Sequence, residues 1–151
     1  MKREAVFDTN VLISGVLWRG IPFLLLSMAE AGNLTIYSSE DIMSEIRRVL
    51  HYPKLRKYID RKRTSPEELF QKIESLCTLI RVDERVFGVC SDRDDEKFLS
   101  CAISACVNIL VSGDSDLLSM KQYQTVNIMK AEKFYSTLKE SNNENQRLSQ
   151  G

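Results

Sequence analysis

The strongest constraint on the fold is the opening stretch Ala5-Val6-Phe7-Asp8-Thr9-Asn10-Val11-Leu12-Ile13. A short apolar run ends in an aspartate, polar residues follow, and apolar sequence resumes. An uninterrupted apolar run of this kind fits a strand buried on both faces. Such a strand delivers the Asp8 carboxylate to the rim of a sheet, beside two further hydrogen-bonding side chains, Thr9 and Asn10. One carboxylate does not make an active site, so the rest of the chain decides what Asp8 is for.

After this strand, Gly15 to Gly20 reads as a loop carrying Trp18 and Arg19, and Pro22 stands where a first helical turn accepts it. Phe23 to Ala31 is an apolar helix ended by Gly32-Asn33, and Leu34 to Tyr37 a second strand. Ser38 and Asp41 form a capping box for a helix reaching Leu50. Pro53 breaks the helical pattern; Ser65 and Pro66 restart it, with a stripe of Leu69, Ile73, Leu76 and Cys77. Leu79 to Val82 reads as a third strand. Phe98, Leu99, Ala102, Ile103 and Cys106 form the buried face of the helix that follows Asp95. Asn108 to Val111 is a fourth strand, Leu117 to Met120 a helical turn, Val126 to Ile128 a brief fifth strand and Ala131 to Leu138 a last helix.

Strands alternating with helices predict an α/β fold: a three-layer α/β/α arrangement around a mostly parallel sheet of about five strands. Residues 1–139 would form one domain and residues 140–151, polar and without apolar periodicity, a disordered tail. Lys+Arg equals Asp+Glu, so any attraction to a polyanion must come from a local patch. Lys2, Arg3 and Glu4 precede only a short apolar run that Asp8 interrupts, and no segment reaches membrane-spanning length; the expectation is a cytoplasmic protein with no membrane partner. Cys77, Cys90, Cys101 and Cys106 lack C-x-x-C spacing and have only His51 to join them, which argues against zinc and for free, mostly buried thiols.

Four connections of this frame carry acids toward one end of the sheet. Asp8 follows the first strand, and Asp114 and Asp116 follow the fourth. Asp95 opens the helix after the third strand. Glu45 shares the apolar stripe of Ile42 and Val49, where a carboxylate is costly unless something uses it. Singly, each has a plainer explanation: a turn, a helix cap, a solvated helix face, or a helix dipole, which is the reading for Asp92 and Asp94. Together they make a mutually repulsive cluster that calls for cations. All-oxygen ligands suit Mg²⁺ or Mn²⁺. Such ions cut phosphodiesters by lowering the pKa of a bound water and offsetting charge on the attacking and leaving oxygens. No serine, cysteine or histidine nucleophile is needed, and His51 reads as a surface residue.

The pattern resembles a known family. Asp8-Thr9-Asn10-Val11, Glu45 in Ser44-Glu45-Ile46-Arg47-Arg48-Val49-Leu50, Asp95 in Asp94-Asp95-Glu96-Lys97-Phe98-Leu99, and Ser112-Gly113-Asp114-Ser115-Asp116-Leu117 are similar to the four acidic signatures of PIN domains, over about Ala5 to Ala131. The most similar subgroup is the VapC-like bacterial proteins assigned as toxins of toxin–antitoxin pairs. The resemblance implies an Mg²⁺- or Mn²⁺-dependent endoribonuclease acting on RNA, frequent homodimers and often a small antitoxin protein. It makes Asp8, Glu45, Asp95 and Asp114 the metal-site carboxylates, Asp116 a fifth candidate, and Asn10 and Ser112 hydrogen-bonding supports. The chain is somewhat longer than the commonest toxin pattern, through a basic insert and the polar tail.

In that insert, Arg47, Arg48, Lys54, Arg56, Lys57, Arg61, Lys62 and Arg63 face only Asp60, with Tyr52 and Tyr58 interleaved. It reads either as an RNA-binding surface, with Arg47, Arg48, Lys54, Arg56 and Lys57 the candidates, or as a solvated helical face. Trp18 and Arg19 could line the cleft, and Trp18 equally a dimer contact or the core. The apolar helix from Phe23 is core and partly subunit contact. The alternative function is a non-catalytic RNA- or protein-binding module on the same fold. A phosphotransferase of the haloacid-dehalogenase kind also begins with strand and aspartate, but wants a second acid where this chain has Asn10.

Overall fold

The computed structural model describes residues 3–150; residues 1, 2 and 151 lie outside the described residues. Five parallel strands and one antiparallel edge form a single sheet in the order β3-β2-β1-β4-β6-β5. These are β1 (Glu4–Phe7), β2 (Thr35–Ser38), β3 (Cys77–Leu79), β4 (Ile109–Val111), β5 (Gln122–Tyr123) and β6 (Val126–Met129). Helices flank it in the expected three-layer α/β/α arrangement. Val6, Leu110 and Val111 on the central strands have no exposed surface, as strands covered on both faces require. The sheet grows from β1 to β2 and β3 on one side, then returns to the other side of β1 with β4. The reversal leaves a crevice at the carboxyl ends of β1 and β4, the switch point where open α/β sheets place their sites.

The first difference from expectation lies at that crevice. Thr9–Leu17 is not strand followed by loop but a helix, α1, capped by Asp8, whose Oδ1 accepts from the Val11 amide at 2.8 Å. Apolar sequence continuing to Ile13 conceals the change of period, while the aspartate supplies the cap. Only Trp18 to Gly20 remains between α1 and α2 (Ile21–Glu30). Gly15, expected in a loop, lies inside α1, where an added Cβ would stand 2.4 Å from Leu26 Cδ1 and 3.1 Å from the Pro22 carbonyl oxygen. Its bare backbone is what lets α2 close on α1.

The helix α3 (Glu40–Leu50) runs to the expected end, but its cap is Ser39, which accepts from Ile42 N; Ser38 is the buried last residue of β2. Then come α4 (Pro53–Arg61) and α5 (Pro66–Leu76), the latter capped by Ser65. The third strand begins two residues early because α5 passes into it without a loop: Cys77 is already extended (φ −108°, ψ 149°) and pairs with Ile36. A short 3-10 turn at Arg93–Asp95 leads into α6 (Glu96–Ser104), which packs on β1, β2, β4 and β6. Phe98, Leu99 and Ala102 are buried there, whereas Cys106 is exposed in a left-handed turn (φ 57°). After β4 come α7 (Ser115–Met120) and the antiparallel β5, too short to leave a pattern in sequence.

The last helix, α8 (Ala131–Gln150), continues where a disordered tail was expected. Phe134 and Leu138 anchor its first half, Phe134 meeting Phe7 edge-on at 6.1 Å between centroids. Beyond Leu138 the helix is almost wholly exposed, which is why no apolar stripe marks it, and Arg3 hydrogen-bonds to Asn142. No single helix among the described residues is long and apolar enough to cross a membrane.

Gly15→Ala tests the α1–α2 contact. In a helix interior this exchange ordinarily gains about 1 kcal/mol. Here the new methyl collides with buried Leu26, so we expect a net loss of about 1–3 kcal/mol by urea denaturation. A gain would show that the two helices are not held in contact by that glycine.

Candidate active site at the carboxyl edge of the sheet

The parallel register sets the ends of β1 and β4 side by side, with Asp8 N donating to the Val111 carbonyl at 3.0 Å. Asp8 is therefore at once the last residue of the β1 ladder and the cap of α1, and its side chain is buried. Ser112 Oγ donates to Asp8 Oδ2 at 2.5 Å, and the Gly113 amide adds a weaker bond at 3.3 Å. The same Ser112 hydroxyl accepts from Asp114 N at 3.0 Å, and Asp114 in turn caps α7 through Leu117 N at 3.1 Å. One buried serine thus fixes the separation of two aspartates that lie far apart in sequence.

Asp95 approaches from the start of α6. Its carboxyl stands within hydrogen-bonding reach of that of Asp114, and Asp92 and Asp116 add negative charge nearby. Glu45 reaches the same edge from α3. It accepts a hydrogen bond from Thr9, the residue after Asp8, and pairs with Lys97 Nζ at 3.3 Å with both side chains largely buried. The contacts run without a break: Lys97, Glu45, Thr9, then by chain to Asp8, Ser112, Asp114 and Asp95.

The electrostatics follow from this crowding. Burial is the main cause that raises the Asp8 carboxyl above its ordinary range; the Ser112, Val11 and Gly113 donors oppose it, and Asp114 adds to it. Asp95 is pushed up to about 7, first by burial, then by the neighbouring Asp114, with Asp92 and Asp116 behind. The crowding of acids around Asp95 favours its protonated form until positive charge arrives. The acids offer only oxygen ligands, which suits a hard divalent ion, while the Lys97 ammonium neutralises Glu45 and is no ligand. In the present arrangement no three acidic, histidine or cysteine side chains among the described residues form an assembled cage. Their oxygens meet Ser112, Thr9, Lys97 and backbone amides instead. By the chemistry of their donors, the residues fit the ion.

The remaining candidates separate clearly. Asp116 is exposed on α7 and reaches Asp95 only through its charge. Asn10 is exposed and makes no side-chain hydrogen bond among the described residues; Thr9 occupies the supporting place instead. Arg47 points away from the acids, its guanidinium 4.1 Å over the Phe70 ring and 3.4 Å from Glu67. Lys54, Arg56 and Lys57 are exposed on α4. There Tyr58 meets Trp18 edge-on, at the far end of α1, about 15 Å along that helix from Asp8. Arg48 alone of the five basic candidates faces a groove that also holds Lys97. His51 is exposed, with its ring Nδ1 2.8 Å from the Arg47 carbonyl. Burial pushes the Cys77 and Cys101 thiols up to about 12 and Cys90 to about 11, so none of these three is a thiolate at neutral pH.

The sequence placed Thr9 at the rim but not its bond to Glu45, and it missed Lys97 altogether. Lys97 did carry a signal: a lysine in the first turn of a helix opposes the dipole, and so needs a partner such as Glu45.

The comparisons agree with this architecture. A family model described as PIN domain matches residues 4–116. The uncharacterised protein MJ1680 of Methanocaldococcus jannaschii is 33% identical over 122 residues, which cover 80% of this chain and 77% of that protein. Among solved structures, VapBC2 from Rickettsia felis, bound to a DNA fragment from its promoter, superposes with a TM-score of 0.56. It is 13% identical, over 83% of this chain and 96% of the other, and so speaks to the fold alone.

The raised Asp95 carboxyl makes a stability prediction. The folded state holds a proton that the unfolded chain releases at its ordinary value of 3.8, so this contribution is full below 3.8 and lost as pH rises through about 7. The thermal midpoint of the chelator-treated protein should fall across that interval, and Asp95→Asn should flatten the slope. A midpoint that rises over the same interval in wild type, or a slope unchanged in the variant, would contradict the raised Asp95 carboxyl.

Proposed function

The chain belongs to the PIN domain family, and from that premise we propose that it is a metal-dependent endoribonuclease hydrolysing RNA phosphodiester bonds. The observation that carries this reading is the run of contacts joining Asp8, Asp114 and Asp95 at the switch point, with Glu45 attached through Thr9. Asp8, Glu45, Asp95 and Asp114 would hold Mg²⁺ or Mn²⁺, with Asp116 as an outer negative charge. Once bound, such an ion supplies an activated water and neutralises charge at the phosphate.

The chain's own residues have separable tasks. Ser112 and the Val11 and Gly113 amides hold the Asp8 carboxylate in one orientation, so its oxygens meet an incoming cation without rearranging the backbone. Asp95, raised to about 7, would release its proton when positive charge arrives, which makes cation binding tighter as pH rises toward neutrality. Lys97 balances Glu45 and would put an ammonium beside the acids where a substrate phosphate would lie. With His51 turned to a backbone carbonyl and three thiols protonated, the residues favour direct attack by water over a covalent intermediate.

As a toxin-type PIN protein it would be held in check by a small antitoxin protein. The partly exposed Trp18, Phe23 and Leu24 around α2 offer an apolar face for that partner or for a second copy of the chain.

Asp8→Asn tests the assignment while keeping the oxygen that caps α1. With labelled RNA and Mg²⁺ or Mn²⁺, we expect cleavage to fall by at least about 100-fold, or roughly 2.7 kcal/mol of barrier. Cleavage at the wild-type rate, or cleavage by the wild type that survives chelation, would refute it.

A further inference from the structure

Beside the acid edge lies an open groove of about 430 Å³ between α3, the segment from Val82 to Asp94, and the start of α6. Its wall carries Arg48, Arg85, Arg93 and Lys97. Lys97 is also the partner of Glu45, so groove and acid cluster share a side chain. Of the three acids in the wall, Asp94 is exposed and unpaired among the described residues, while Glu96 and Asp41 are committed. Glu96 is buried, accepts from Val89 N at 2.7 Å and Cys90 N at 3.4 Å, and is held below its ordinary range chiefly by the Val89 amide. Asp41 pairs with Arg85 at 3.4 Å. Arg48 and Arg93 make no ion pair among the described residues.

The Val82–Asp94 segment has almost no regular structure, yet it is fastened along its length. Ser104 Oγ accepts from both Asp83 N and Glu84 N at 3.1 Å, Ser100 Oγ accepts from Val86 N at 2.8 Å, and Glu96 holds Val89 and Cys90. Val86 is buried against α6. The next residue, Phe87, is 78% exposed, and Gly88 after it turns the chain at φ +71°. Three side chains of one helix therefore fix a loop whose effect is to hold a phenyl ring in water at the mouth of a groove lined with cations. A ring left exposed on a fastened loop forgoes burial that a looser loop could obtain.

We propose that this groove binds single-stranded RNA, Arg48 and Arg93 contacting phosphates and Phe87 stacking on an unpaired base, so that the strand is led past Lys97 to the acids. The inference rests on the nuclease reading for its choice of substrate. Base stacking on an aromatic ring needs a base out of a duplex, which selects single strands over paired RNA. It also moves the RNA surface away from the exposed lysines of α4, whose tyrosine and tryptophan contacts lie at the other end of α1.

The test measures binding apart from cleavage, by fluorescence anisotropy of a labelled single-stranded RNA oligonucleotide in chelator. We expect Phe87→Ala to weaken single-strand binding about 5- to 100-fold and leave the affinity for an RNA duplex unchanged. Arg48→Ala with Arg93→Ala should lower the slope of log affinity against log salt by about 1.4, whereas Arg56→Ala with Lys57→Ala should leave single-strand affinity and slope as in wild type. All these side chains are exposed, and coincident thermal midpoints confirm intact folds. Wild-type affinity and salt slope in both groove variants would overturn the proposal and assign the exposed ring to a protein contact. Groove-dependent binding without cleavage under Mg²⁺ or Mn²⁺ would uphold the groove and sink the nuclease. Asp8-dependent cleavage with groove variants as active as wild type would do the reverse.

Discussion

The hydrogen bond from Ser112 to Asp8 is the interaction on which the rest depends. It joins the carboxyl ends of two adjacent parallel strands from distant parts of the chain, inside a crevice closed to solvent on the sheet side. Asp8 completes the β1 ladder, caps α1 and accepts from Gly113 as well. Because its oxygens are spoken for by the scaffold, its orientation is a property of the fold. The switch-point topology supplies the place and the serine supplies the alignment.

Around that fixed carboxylate the structure assembles charge it does not itself neutralise. Burial and the proximity of Asp114 leave Asp95 titrating near neutral pH, and among the described residues the only ammonium paired with these acids is bound to Glu45. Such an arrangement stabilises no fold; it lowers stability until a cation arrives. Stability set aside at one edge of an otherwise well-packed α/β domain is what makes this edge a candidate site.

The alternation of strands and helices was legible because buried parallel strands are continuous apolar runs and their helices keep a separate period. From that frame the common edge of Asp8, Asp95 and Asp114 could be read, since a parallel sheet carries every strand end to one side. Glu45 was legible from its place on an apolar stripe. What could not be read depended on pairing across the chain or on exposed surface. The entry into α1 was hidden by apolar residues that suit either period, and the start of β3 was set by its pairing with Ile36 rather than by composition. The basic stretch looked like one surface in sequence. In space Arg47 stacks on Phe70, Arg48 turns to the groove, and α4 lies at the other end of α1. Thr9 and Phe87 acquire meaning only from what the folded chain places beside them. The exposed half of α8 has no buried face to announce it.

The most direct measurement is anomalous diffraction from crystals soaked in Mn²⁺. The account predicts a peak bounded by the carboxylates of Asp8, Asp95 and Asp114, with Glu45 at its margin. Saturating Mn²⁺ that leaves this edge without a peak would contradict it.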